Sequence, residues 1–509
     1  MIKRIGGLLL ALALVLLSAV AVLWSVSRSA GPQSEVAAAL DALDERWRPE
    51  GRNALSGLWL MDYAIPDRAQ RDSVLRDDLR KLHQSQVLTA RVVGPDISTA
   101  EGRFPLHLYG SEDRGQFCKV TDACLQRVRT DLKRYRDLIA RNQAALQQLG
   151  EADDGDHLQG RFETLPNMVL QPRYAQAYYP ATELAVRFLD GEREAALDQT
   201  CRHIVRWRQL RQNTDSMETV GVAASFAARG YGQLAGDMLG EWPLTQPLPK
   251  VCDIAFQPPG SPEVQGLCRG MQGEFRTMAA ELRRAVPAAG EQRKGPGWLR
   301  YVPHAIVYDA EKTAARLAPH YAQYCQTSAQ RAYIEDRDLE QPLSGRSDEV
   351  GLACVANLAG CLLIDPANLD LSEQVVRLRH ADAQLRLLGA LQWLRAQPGI
   401  ATDPAATLAQ LPPHLTSAAH PVRYDAATRS LVMQQLGAQQ AAGVRPNTVT
   451  MPLPGSRVPV SAPAPVTPPL PDQATGVPDE GAVPADEAAE PLDAPATEAA
   501  SAAPPSTAG

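Results

Sequence analysis

Trp207 stands among Arg202, Arg206, Arg208 and Arg211, a grouping suited to an anionic glycan or lipid headgroup, because guanidinium groups pair in a planar fork with carboxylate and phosphate. Upstream, Tyr174, Tyr178 and Tyr179 precede Pro180, where aromatic side chains either line a groove or staple the start of a helix. Residues 174–211 therefore form the candidate binding surface, with Tyr174, Tyr178, Trp207, Arg208 and Arg211 as its members. Packing competes with binding for these residues, since a tryptophan at the edge of a core beside a solvated basic face has the same sequence pattern.

Asp215 lies three residues before Glu218, a spacing that serves a pair of acid/base carboxylates or a helix-capping box. Gly230, Gly232 and Gly236 make G-x-G-x-x-x-G, one residue longer than a dinucleotide fingerprint and placed after a helix instead of a strand, which excludes that function. Asp153, Asp154 and Asp156 around Gly155 lack the spaced ligands and closing Glu of a calcium loop and read as a solvated acidic turn. No G-x-S-x-G, P-loop or H-E-x-x-H occurs, no cysteine pair has C-x2-C spacing, and the nine histidines show no ligand spacing. No catalytic residue, metal or cofactor is assigned.

The eight cysteines instead point to disulfides in an exported chain, although eight allow 105 connectivities. Cys118 with Cys124 and Cys354 with Cys361 are close in sequence. In a continuous helix their Cα atoms would be roughly 9 and 10.5 Å apart, beyond disulfide reach, so each pair demands a turn, at Thr121-Asp122 and Gly360. Cys252 with Cys268 would close a Pro-rich segment, leaving Cys201 for Cys325.

Export has its own signal. After Lys3 and Arg4, residues Ile5 to Val26 carry no charge and would measure about 33 Å as a helix, enough to span a bilayer with Trp24 at the far interface and residues 1–4 in the cytoplasm. Ala19-Val20-Ala21 has the form of a signal-peptide processing site, but the apolar run continues past it, which favours a retained anchor.

The elements that must position these groups are mainly α. An uninterrupted helix is expected over 125–149, a helical hairpin from Pro180 through Asp190-Gly191 to Arg211, an Ala-rich helix from the Asp215 box to Gly230, and a late helix capped by Asp370 and stopped at Pro398-Gly399. Strand signals are limited to Phe104–Tyr109 and a hairpin of Val422-Arg423-Tyr424 with Leu431-Val432-Met433. Pro-dense residues 242–262 divide a helical subdomain at 34–241 from another at 263–436, and residues 443–509 form a disordered acidic tail. From Val458 the tail has eight acids and no Lys or Arg, so it accounts for −8 of a net −7 and leaves the remainder at +1. A near-neutral body offers no net-charge basis for binding nucleic acid.

The short anchor, Asn53-Ala54 with Gly57, the Cys118/Cys124 pair, the Leu184 to Asp215-Ser216 hairpin, the helix around Arg379 and the His420-Pro421-Val422-Arg423-Tyr424-Asp425 element together resemble a group of uncharacterised proteobacterial single-anchor membrane proteins. The resemblance implies a helical domain facing the periplasm from the inner membrane, and it brings no catalytic residues. The leading expectation is a non-enzymatic envelope protein that binds a protein partner through its helical body. The alternative is an envelope hydrolase or lyase acting on glycan, peptide or lipid, with Asp215 or Glu218 among its carboxylates.

Overall fold

The computed structural model describes residues 2–457 apart from 46, 86–90, 95–96, 108–110, 164, 166–167, 285–303, 338–353, 364–370 and 435–447. With 64% helix and 7% strand, the chain is mainly α. Helix α1 (Ile2–Ser29) contains the apolar run, and its most apolar stretch is only 6% buried, so it lies outside the core and is long enough to cross a membrane.

Strand β1 (Arg91–Val93) leads to three short helices, α2 (Cys124–Thr130), α3 (Leu132–Arg141) and α4 (Gln143–Gly150), where the apolar period had suggested one. The breaks fall at Asp131, whose carboxylate accepts the Arg134 N–H at 3.2 Å, and at Asn142, whose amide donates to the Leu138 carbonyl at 2.9 Å. Short polar side chains compete in this way with the helical backbone ladder. Strand β2 (Val169–Gln171) pairs in parallel with β1, a contact without a local sequence signal. Of the expected Phe104–Tyr109 strand, only Leu106 pairs, as an isolated bridge to Tyr63, and residues 108–110 lie outside the described set.

The expected hairpin forms from α5 (Pro180–Leu189) and α6 (Arg193–Gln212), turning at Gly191 with a φ of +100° that L side chains rarely adopt. The next helix starts differently from expectation. Ser216, not Asp215, is the cap, accepting the Thr219 N–H at 3.3 Å, while the Asp215 carboxylate accepts from the Gly160 N–H at 3.1 Å. This helix, α7, runs through Met217–Ser225, a π-helical Phe226–Gly232 and Gln233–Gly240 without stopping at Gly230. Its glycines permit close packing: a Cβ at Gly230 would sit 2.7 Å from the Tyr178 ring, and one at Gly236 3.0 Å from the Met451 sulfur.

Helices α8 (Ser261–Arg284), α9 (Ala310–Ala322) and α10 (Leu371–Arg395) complete the body. One core cluster joins Trp207 and Trp242 to Phe256, Leu267 and Leu388, so residues 242–262 do not divide the chain into two helical subdomains, and residues 1–462 form one unit. The segment is instead packed, with Trp242 and Phe256 fully buried. Asp370 lies outside the described residues.

Strands β3 (Val422–Asp425) and β4 (Ser430–Gln434) make the expected hairpin, and β5 (Thr448–Pro452) adds a third antiparallel strand. The segment from 443 is therefore ordered in part: Met451 is fully buried beside α7, because Gly236 and Gly240 leave room for the strand. Residues 458–509 lie outside the described set.

The two short-range disulfides, Cys118–Cys124 and Cys354–Cys361, are present, but the other four cysteines pair as Cys201–Cys252 and Cys268–Cys325. This corrects the Cys252/Cys268 and Cys201/Cys325 assignment. Cys252 sits on a helix, Lys250–Ala255, that packs against α6, whereas Cys268 is on α8 beside the turn holding Cys325. Packing, and not closure of the proline-rich loop, chose the partners.

Candidate functional site

The residues proposed from sequence as a binding surface are interior. Tyr174, Tyr178 and Trp207 are 6%, 1% and 0% exposed; in the core Tyr174 meets Trp207 edge-on, Trp207 meets Phe226 edge-on, and Tyr178 packs against Phe226 and Tyr231. The Tyr174 hydroxyl is 2.6 Å from that of Thr219, and burial pushes the phenols of Tyr174 and Tyr178 well above the usual tyrosine range. Arg208 donates to Glu263 at 2.6 and 3.0 Å and to the Gln257 carbonyl at 2.7 Å. Arg211, fully buried, binds Asp382 and donates to the Tyr333 hydroxyl at 3.1 Å. Trp207, Arg208 and Arg211 pack α6 against α7, α8 and α10, and Tyr174 and Tyr178 pack the turn before α5 against α6 and α7, so all five are buried in the core.

The other side of the same hairpin is concave. A cavity of about 250 Å³ opens between the end of α4, α5 and α6. On α5 it receives Glu183 and Arg187, four residues apart. On α6 it receives Gln199, His203 and Arg206, spaced by four and three. Those spacings place each set on a single helical face.

His203 forms the floor. Its Nδ1 is 2.7 Å from Asp153 Oδ2, both residues are 2% exposed, and its ring stacks on Tyr231 at 4.6 Å and 12°. An ionised carboxylate only accepts, so Asp153 selects the tautomer with the proton on Nδ1 and leaves Nε2 as an acceptor. Arg206 donates to the second Asp153 oxygen at 3.3 Å, which fixes the carboxylate from both sides. Glu183 is half-buried and makes no ion pair among the described residues. Burial raises its pKa above the ordinary glutamate value, and the charge of Arg187 opposes that rise. Its carboxyl thus keeps a proton to higher pH than a solvated one, beside a histidine whose orientation is fixed.

The acidic turn supplies part of this arrangement. Asp154 is held by Arg52 at 3.1 Å and Arg68 at 3.6 Å near the surface, but Asp153 is buried beneath His203, contrary to the fully solvated turn expected. Among the described residues, no group of three or more His, Cys, Asp or Glu side chains is placed to hold a metal ion.

Elsewhere, Asp336 gathers elements that are far apart in sequence. It adopts a φ of +54° and accepts from Arg379 at 3.0 Å, and it pairs with Arg386 at 3.3 Å and His420 at 2.6 Å. His420 in turn lies 3.0 Å from His380. Burial alone would raise the Asp336 pKa, but hydrogen bonds from His420 and Ser417 and the charges of His420 and Arg386 outweigh it and hold the group at about 2. A depressed carboxyl contributes stability above its unfolded pKa and loses it as pH falls through the folded value. Asp336→Asn should cost up to about 2 kcal/mol at pH 7, and urea-unfolding midpoints of variant and wild type should converge between about pH 4 and 2.

A helical body with four internal disulfides and one apolar amino-terminal helix defines the class: a cystine-braced, mainly α protein with a helix able to cross a membrane. No protein-family model, curated protein or solved structure matches this chain.

Proposed function

We propose that this chain is a membrane-anchored protein of the cell envelope, facing the periplasm, whose helical body captures a small polar ligand in the cavity between α4, α5 and α6. The observation that carries the reading is the convergence of Glu183, His203 and Arg206 on one concave surface, with Asp153 fixing both His203 and Arg206 from below. The ligand class is one presenting a hydrogen-bond donor or amine to Glu183 and an acceptor to Arg187 or Arg206, as an amino sugar or a peptide fragment does. Disulfides suit an oxidising compartment, and α1 supplies the tether.

Glu183→Gln tests the site in two ways. A carboxyl with a raised folded pKa contributes stability at low pH and loses it as pH rises through that pKa. The amide should therefore stabilise the protein at pH 8 and leave it unchanged at pH 4. In thermal-shift titrations with diamines, amino sugars and zwitterionic peptide fragments, at least one class should raise the Tm of the wild type and not of the variant. A panel whose stabilisers act equally on both proteins rejects the site.

A second reading has one specific support. Glu183, whose pKa burial raises, lines the cavity together with His203, two groups of the kinds that serve acid/base hydrolysis or elimination. Turnover of a ligand found in the thermal-shift panel, abolished by His203→Gln, would place the protein with the envelope hydrolases or lyases.

A further inference from the structure

The last turns of α1 are bonded directly to the body. The Trp24 indole donates to the Ile306 carbonyl at 2.7 Å. Ser27, fully buried, accepts the Ala356 N–H at 2.9 Å. Arg28 pairs with Asp309 at 3.4 Å, and the Lys312 ammonium donates to the Ala30 carbonyl at 2.7 Å. The last turns of α1 are thus clasped by two segments, one around 306–312 and one braced by the Cys354–Cys361 disulfide, and these are joined by a 2.8 Å bond from the Asp309 N–H to Asn357.

This clasp sets the depth of the body. A hydrocarbon core of about 30 Å takes about 20 helical residues, so a span beginning near Ile5 ends near Trp24, the residue type that prefers the interface. Ile306, whose backbone bonds the Trp24 indole, and Val355, adjacent to the residue that bonds Ser27, must then lie at the level of the headgroups. Both are apolar and exposed, at 44% and 38%. Arg28 and Lys312 stand at the same level, where phosphates are found.

We propose that the surface bearing Ile306 and Val355 is a lipid-contact face: the body rests on the outer face of the bilayer, with these two side chains dipping into the boundary between headgroups and acyl chains. The proposal rests on the reading of α1 as a retained anchor, and its occupant is phospholipid because the face is continuous with the spanning helix. A body held in this way cannot swing on its tether, so the membrane fixes its orientation as well as its location.

The test is photocrosslinking of the full-length protein in vesicles of phosphatidylethanolamine and phosphatidylglycerol, with benzoylphenylalanine placed singly at position 15, 244, 306 or 355. Leu244 is the control, an exposed apolar residue that packs beside Gly455. Lipid adducts at 306 and 355 at least fivefold above those at 244, together with strong labelling at 15, support the contact face. Labelling at 15 with 306 and 355 no higher than 244 overturns the face while leaving the anchor. No labelling at 15, with the mature chain starting after Ala21 by mass, overturns the anchor and the face with it.

Discussion

Replacing Cys201 and Cys252 together by alanine is expected to lower the stability of the oxidised protein by about 4 kcal/mol, from the loop-closure entropy of a link across 51 residues. The same calculation for the 6-residue Cys118–Cys124 link yields about 2 kcal/mol. The ranking matters more than either value. Urea unfolding of both double variants under oxidising conditions should give a larger loss for Cys201/Cys252. Equal losses would mean that the long link acts through native packing of Lys250–Ala255 on α6, and not through restriction of the unfolded chain. Full stability is then expected only under oxidising conditions, because reduction removes both long-range links at once.

Arg211→Met should be nearly as damaging, costing about 3–5 kcal/mol, because it leaves the Asp382 carboxylate buried without its partner. Arg211 and Asp382 are 0% and 1% exposed, and the Tyr333 hydroxyl donates to Asp382 at 2.7 Å, so no solvent is available to replace the lost cation. Adding Asp382→Leu should restore most of the loss, since removing both charges also removes the desolvation they share. Chemical denaturation of the two single variants and the double variant gives the coupling directly, and additive losses would contradict the pairing.

This pair also shows why the candidate site was misread in sequence. Along α6, Trp207 and Arg211 are four residues apart and share a face, and a tryptophan with nearby arginines resembles a ligand grip. The carboxylates that neutralise those arginines, Glu263 and Asp382, are 55 and 171 residues away. Nothing local distinguishes an arginine awaiting a ligand from one already matched by a distant helix. The cavity had a weak local signal: Glu183 with Arg187, and Gln199 with His203 and Arg206, follow helical spacing on facing helices. That pattern is common on solvated surfaces, and it acquires meaning only because α4 closes the third side.

Other differences have similar causes. The single helix expected over 125–149 ignored the capping capacity of Asp131 and Asn142, information that was present locally. Strand β5 was not legible, because a proline-rich flank and low apolar content suggested only a tail. Its order comes from the space that Gly236 and Gly240 leave on α7. The elements around Arg379 and His420, noted separately in sequence, meet through Asp336, a residue with no distinguishing context of its own.

What the sequence by itself determined are properties carried by short stretches: the spanning length of α1, the helical class, the α5–α6 turn at Gly191, the β3–β4 hairpin and the two short-range disulfides. Each depends on backbone preference or reach over fewer than about 30 residues, where the chain has few alternatives. The tertiary structure alone decided which face of α6 is inside, which distant cysteines meet, and that residues 242–262 bind one core together instead of separating two. Those outcomes depend on which surfaces exclude water against one another, and burial is a property of the assembled fold that no single segment encodes.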